Sequence, residues 1–532
     1  MTNFQVEDVP SIESNQGMVS LEQPGASSEI VGAVLKTAHL YPDRPALIEN
    51  GTEISYAVLK NRVRHLAFLL GQDCGTVGVL VTRSANTIVA LLGVLAAGGT
   101  YCPIDPKYPM PRQEALLQAG ASATLISTQP GLMVPSGVRV INPSDYAQQS
   151  SISLRTKPAP ADPDSAAYLL FTSGSTGTPK GVLTSRRAIA ASVTSLREFM
   201  QISPADKVLQ FAALNWDTCF EEIFPALTSG AALVIDDEAH TGSHARLIRM
   251  IAAREISVLD LPTAFWHELV QYLTEDNVGL PDCVRTIIIG GEAARSARLA
   301  EWCALDTGRI RLINTYGCTE TTLVTHATDL HGPLATPPAV SWEQARDVPI
   351  GRHMPHVIEH IAENGELFIG GPALAIGYLH LPELTAERFS LRDVGQGRQR
   401  YYRSGDRVSR MGNGSLVHHG RLDSQIKVRG IRVDPGEVEI EISAHPCVSV
   451  AAVVGVTTAD HSSLVAYVVP RQLSSSETLG EEMFAYLRNR LPAHLVPSKI
   501  NIVSELVYTS SGKIDRAGLH TRHAAQFKKV IL

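Results

Sequence analysis

From Glu29 onward the chain alternates amphipathic stretches with short runs of apolar and β-branched residues. Helical spacing of apolar positions predicts helices over residues 54–70 and 85–97, whereas residues 77–82 and 123–127 are short, β-rich and predict strands. Helices alternating with strands imply parallel sheets packed between helices, so the fold class is α/β. Residues 1–28 are rich in Ser, Glu and Gln without an apolar period and predict a mobile tail. A polar, glycine-containing stretch, GRLDSQIKVRGIRVDPG at 420–436, separates a long first part from a last block with its own strands and helices. The expected division is a tail at 1–28, a core at 29–422 and a small C-terminal domain at 423–532.

Composition narrows the class of protein. The chain has 532 residues, 44% hydrophobic and 19% charged, which excludes a disordered or fibrous protein. Lys and Arg total 46 against 53 Asp and Glu, a net charge of -7. Without a basic block this lacks the footprint of a nucleic-acid or anionic-membrane binder, leaving small molecules or proteins as partners. The 7 cysteines stand singly with no CxxC pair, against a disulfide framework or zinc knuckle and consistent with a reducing compartment. The first residues carry acids where a signal peptide needs a basic region, and the apolar stretch at 88–97 is too short to span a bilayer. A cytoplasmic enzyme is expected.

The segment YLLF at 168–171 reads as a buried strand, and FTSGSTGTPKG follows it. It gathers Thr172, Ser173, Ser175 and Thr176 with Gly174 and Gly177 ahead of Lys180. Glycines let backbone N–H groups approach oxyanions, hydroxyls donate further bonds and the lysine adds charge, a composition suited to a triphosphate. It is not a Walker A loop, because Pro179 precedes the lysine and Gly181 follows it.

With ISYAVL, LAAGGTYCPIDPKYP, NTYGCTETT, GELFIGGPALAIGYL, YRSGDR, GRLDSQIKVRG and SSGKIDR in order, the chain resembles the AMP-forming adenylating enzymes. That superfamily includes acyl-CoA synthetases, luciferases and nonribosomal peptide synthetase adenylation domains. The resemblance runs nearly end to end. It implies a β-barrel-like part beside the parallel-type sheets and a mobile α+β C-terminal domain. It also implies a two-step reaction with ATP and Mg2+, in which a carboxylate is joined to the α-phosphate and the acyl group then passes to a thiol.

By the same resemblance Glu320 is the magnesium ligand, with Thr319 beside it on the phosphates. Asp406 accepts from the ribose diol, Tyr316 stacks on adenine, and Asn314 and Arg421 contact the nucleotide. Lys513, an ordinary surface lysine if read alone, bridges substrate carboxylate and α-phosphate, and Asp423 is the hinge of the small domain. Asp217, in NWDTCFEEIF, matches the acid that pairs with an amino acid's ammonium. Fatty and aryl acids offer no such partner, and an unpaired buried carboxylate is costly. The corresponding side-chain pocket is Thr218, Glu221, Asp260, Ile288, Gly290, Thr315, Leu323 and Val324.

Glu221 follows Asp217 by one helical turn, and Asp260 ends an otherwise apolar run. Two such acids among apolar residues call for an arriving cation, and the set is similar to lysine and β-lysine activators. The bland readings are that Asp217 caps a helix and that Glu221 and Asp260 are satisfied by a neighbouring arginine or backbone. Cys318 stands where the family usually has proline and Trp216 where it has phenylalanine; neither removes a catalytic group. No phosphopantetheine-carrying segment is read in the chain, so a stand-alone enzyme charging a separate carrier protein is expected. The alternatives are an acyl- or aryl-CoA ligase, a neutral amino acid as substrate, or a binding module without turnover.

Overall fold

The computed structural model describes residues 30–521 apart from 73, 128–136, 148–161, 175–178, 337–340, 343, 346, 396, 424, 429, 458–461, 472–475, 509–513, 517 and 520. The expected tail therefore lies outside the described residues.

Two large sheets form the first part. One has seven strands, in the order Gly377–Tyr378, Lys180–Ser185, Ala166–Thr172, Thr100–Ile104, Thr76–Leu80, Thr124–Ile126 and Arg139–Ile141. The other has nine, with Arg311–Gly317, Thr286–Gly290 and Val258–Pro262 adjacent near one end. Inner pairs are parallel, as expected for α/β, while the outer strands Thr52–Ser55 and Val324–His331 add antiparallel edges.

The helix Ala85–Ala96 is buried on nearly every residue and touches strands of both sheets. Its sequence shows so weak a polar face because it lies between two apolar layers.

The predicted helix at 54–70 starts later, at Tyr56, where the Ser55 side chain accepts from Val58 N. Residues 52–55 are instead a strand that folds back on Pro45–Glu49 through Asn50 and Gly51, both at positive φ (49° and 89°). An Asn-Gly pair supplies this tight hairpin turn, a signal that outweighs the helical pattern at Ile54.

The part expected to be barrel-like is a five-stranded antiparallel sheet in which Arg398–Arg410 pairs with Glu366–Gly370, Phe389–Asp393 and Leu416–Arg421. Beyond it comes a small hairpin, Ile426–Val428 with Ile431–Val433. The last block has the sheet Val448–Thr457, Ser462–Pro470 and Lys499–Ile502 with the helices Pro435–Ser443 and Ser476–Arg488. Its own apolar core includes Val438, Ile442, Val453, Ala466 and Met483. Among the described residues no helix is long and apolar enough to cross a membrane.

Candidate active site

One cavity opens where the strand ends of the two large sheets meet the small hairpin. Its walls bring together Thr172, Asp217, Thr218, Glu221, Asp260, Gly290, Thr315, Thr319, Leu323, Val324, Asp406 and Arg421, twelve of the residues expected from sequence.

On one side stand the nucleotide candidates. Asp406 is buried at 4% exposure; it accepts from Tyr316 Oη at 2.6 Å and Arg421 at 2.8 Å, and His418 Nε2 lies 3.1 Å away. Burial pushes this carboxyl upward, but the His418 bond and the Arg421 charge outweigh it and hold it well below the usual carboxylate range. Glu320, at 2% exposure, accepts from Tyr378 Oη at 2.8 Å and meets Arg432 at 3.2 Å. Burial again acts upward, and Arg432 with Tyr378 reverses it, so Glu320 also lies below its ordinary value and is ionised.

Tyr316 packs edge-on against His326, whose Nε2 meets Glu359 at 2.6 Å. Lys180 opens the strand after the phosphate-type loop, half-buried, with its pKa lowered mainly by burial. Asn314 does not reach the cavity wall; its amide donates to Pro349 O at 2.8 Å. Ser175, Thr176, Gly177 and Lys513 lie outside the described residues.

Several participants escaped the sequence reading. Arg432 fills the cation position beside Glu320, and its main chain docks on the phosphate-type loop through Ser173 Oγ, which donates to Arg432 O at 2.9 Å and accepts from Asp434 N at 2.9 Å. Gly174 N donates to Glu437 at 3.1 Å, and Glu437 pairs with Arg112 at 2.8 Å. An arginine thus stands on the metal-type acid and a glutamate on an oxyanion-type N–H. Lys427 lies over the Tyr316 ring, 5.9 Å from its centroid. The alternation of Lys427 and Arg432 along the hairpin was the available signal, read only as a polar junction.

The other side of the cavity is different in kind. Asp217 occupies the N-cap position of the helix Thr218–Ser229 without a side-chain capping bond. Its carboxyl is pushed up by burial, with the Thr319 hydroxyl pulling back. Glu221 sits in the first turn of the same helix, and burial together with Asp260 and Asp217 drives it well above its ordinary value. Asp260, 4% exposed on the strand Val258–Pro262, is driven up by burial and then by Glu222, and its Oδ2 has no hydrogen-bond partner. Among the described residues no arginine pairs with Glu221 or Asp260; Arg83, whose charge acts on the neighbouring Glu222, donates to Gln210 and to the carbonyls of Phe211 and Ala212.

Glu222 holds the same wall from the other direction, accepting from Phe211 N and Ala212 N at 2.8 Å. Ile288, in register with Asp260, belongs to the packed core behind the cavity rather than to its wall. Cys318 lines the cavity, but burial pushes its thiol up to about 11, so it is not a thiolate at neutral pH.

Comparison with known proteins gives the family: AMP-binding enzyme matches residues 34–379, and its C-terminal domain matches 437–513. The chain belongs to this family of AMP-forming ligases. It is 38% identical over 505 residues to the isonitrile lipopeptide synthase of Streptomyces coeruleorubidus, covering 93% of this chain and 34% of that protein. It is 32% identical over 522 residues to novobiocin biosynthesis protein H of Streptomyces niveus, covering 93% and 83%. Against the first curated relatives the chain spans less than half of their length, from 6% to 45%. An artificially fused adenylation–PCP di-domain from Klebsiella oxytoca shares the fold, with a TM-score of 0.77 at 24% identity over 89% of this chain and 93% of that one.

Proposed function

We propose that this protein uses ATP and Mg2+ to activate a cationic diamino acid, lysine or β-lysine, as its aminoacyl-AMP. It then transfers the acyl group to the phosphopantetheine thiol of a separate carrier protein, in cytoplasmic assembly of a nonribosomal peptide or related product. The carrier reading is supported by relatives named as lipopeptide and gramicidin synthases and by the solved adenylation–PCP protein.

One observation carries the substrate class: buried Asp260 lines the cavity with its Oδ2 unpartnered, and the charges acting on it and on Glu221 are those of further acids. A substrate whose methylenes lie along Leu323 and Val324 and whose terminal ammonium enters between the acids resolves the repulsion. Asp217 takes the other ammonium. Gly290 and Thr315 line the same cavity, and a Cβ at Gly290 would collide with the Thr315 hydroxyl, so the glycine lets Thr315 keep its place there.

In the first step a substrate carboxylate oxygen attacks the α-phosphorus, the bond to the bridging oxygen breaks and pyrophosphate leaves. In the second, the carrier's sulfur attacks the acyl carbon, its proton passes to solvent and AMP departs. The protein's contribution is position and charge. Asp406 and Arg421 orient the ribose, Tyr316 the adenine, and Thr172, Ser173 and Lys180 the phosphates, while the role of Lys513, outside the described residues, rests on the family resemblance of SSGKIDR.

An ionised, buried Glu320 fits magnesium, a hard cation that takes one or two carboxylates and completes its shell with phosphate oxygens. When bound there it neutralises charge on the departing phosphates. Arg432 must leave Glu320 for this, and we assign the required movement to the domain 423–532 turning about Asp423, which is gripped by Arg421 at 2.7 Å.

Substrate-dependent pyrophosphate exchange across lysine, β-lysine, ornithine, arginine, neutral amino acids, and benzoic and fatty acids tests the reading. Exchange confined to diamino acids is expected. A preference for neutral amino acids removes the roles of Glu221 and Asp260, and exchange only with amine-free acids overturns the amino-acid reading. Loading of a carrier added in trans tests the second step.

A further inference from the structure

Between the Glu320 turn and the strand Val324–His331, Thr322 and Leu323 hold φ of 57° and 66°. Side chains other than glycine rarely adopt this region, and a β-branched threonine does so least readily. Consecutive residues of this kind persist only where their surroundings enforce them. Leu323 and Val324 form adjacent parts of the cavity wall, so the backbone of this pair decides where that wall stands.

What enforces it lies behind the wall. Ser192, fully buried in the helix Arg186–Met200, donates its hydroxyl to the Thr322 carbonyl. That hydroxyl lies 3.3 Å from His356 Nε2. With Ser192 donating forward, the imidazole N–H donates to Ser192. Burial lowers the His356 pKa to about 4, so the ring is neutral near pH 7 and the contact does not titrate there.

We propose that Ser192 and His356 are specificity-positioning residues, which touch neither substrate but hold Thr322 and Leu323 so that Leu323 and Val324 set the width of the amino-acid pocket. This rests on the reading above of that wall as the side-chain pocket.

The upstream turn has separate anchors. Glu320 O accepts from Ala375 N at 2.9 Å, its carboxylate is held by Tyr378, and Thr321 Oγ1 bonds to both Cys318 N and Cys318 O. Loosening Ser192 therefore moves the pocket wall and leaves the metal-type acid in place.

The test uses the full chain in amino-acid-dependent pyrophosphate exchange, with the wild type's best amino acid and its homologue one methylene shorter. Ser192→Ala and His356→Leu are expected to raise KM for the best amino acid about tenfold and to erode its advantage over the homologue by a similar factor. KM for ATP stays within about twofold. His356→Gln, which keeps an N–H near the Nε2 position, restores most of the discrimination. An unchanged ratio between homologues in both Ser192→Ala and His356→Leu overturns the proposal, as does an equal rise in KM for ATP. If Ser192→Ala does not fold, the His356 pair gives the answer alone. A wild type that prefers a neutral amino acid sinks the cationic reading and leaves this test intact with that amino acid. A wild type that turns over no amino acid overturns both.

Discussion

The two halves of the cavity treat carboxylates in opposite ways. On one side Asp406 and Glu320 are buried but surrounded by donors and arginines, and both are held below the ordinary carboxylate range. On the side of Asp217, Asp260 is as deeply buried and Glu221 half-buried, yet the nearest charges are further acids and both are driven above it. Burial is common to the two; the difference is where the compensating charge comes from. The chain itself compensates the first pair, through His418, Arg421 and Arg432. Among the described residues no cation compensates the second pair, and both carboxyls are pushed toward the neutral form.

The largest expected effect falls on the uncompensated half. Glu221→Gln or Asp260→Asn should weaken kcat/KM for a cationic amino acid by about 3–5 kcal/mol, leaving the substrate ammonium buried without its partner. ATP kinetics in the same variants should hardly move. Parallel losses for ATP would show that the two halves are not separable.

A smaller loss is expected on the compensated side. Asp406→Asn should raise KM for ATP by the equivalent of about 1.5–3 kcal/mol, the worth of hydrogen bonds to a charged group, without changing the ranking of amino acids. A changed ranking would erase the distinction between the halves.

Stability should respond in the reverse sense to catalysis. Asp260 has a folded-state pKa above its unfolded value, so the folded protein binds more protons and its stability falls as pH rises above about 4. Asp260→Asn should therefore stabilise the substrate-free protein at pH 7 by about 1–3 kcal/mol, with the gain vanishing as pH falls below the usual carboxylate pKa. Thermal melts at several pH values read this directly, and a destabilised variant at pH 7 would mean that Asp260 has a partner when folded.

The smallest effect concerns Cys318 at the cavity wall. Cys318→Ser should leave exchange rates within about twofold, because a thiol pushed up to about 11 is not a thiolate at neutral pH. A loss of more than about tenfold would give that thiol a part in the chemistry.

Much of the site was legible because its residues are close in sequence or fixed by one element. Asp217 and Glu221 share a helix start, Thr319 and Glu320 one turn, and Thr172 and Lys180 pair across adjacent strands. Asp260 was legible as a polar residue in an apolar strand. The contacts of Arg432 with Glu320 and of Glu437 with Gly174 and Arg112 were not, since they join distant segments through docking of the last block and leave no spacing signal. The same holds for Ser192, an unremarkable helix residue until Thr322 is folded against it. In the fold, alternating helices and strands gave the α/β class, while the hairpin at Asn50 and Gly51 depends on positive φ that apolar periodicity does not register.

The central claim, that the pocket acids are kept for the substrate's cation, is tested most directly by comparing kcat/KM for lysine or β-lysine with that for an uncharged analogue of equal length, such as norleucine, in wild type and Asp260→Asn. The account predicts that the wild type favours the cation by about 10²-fold or more and that the variant loses most of this preference. A wild type that favours the uncharged analogue, or a preference that survives intact in Asp260→Asn, would contradict it.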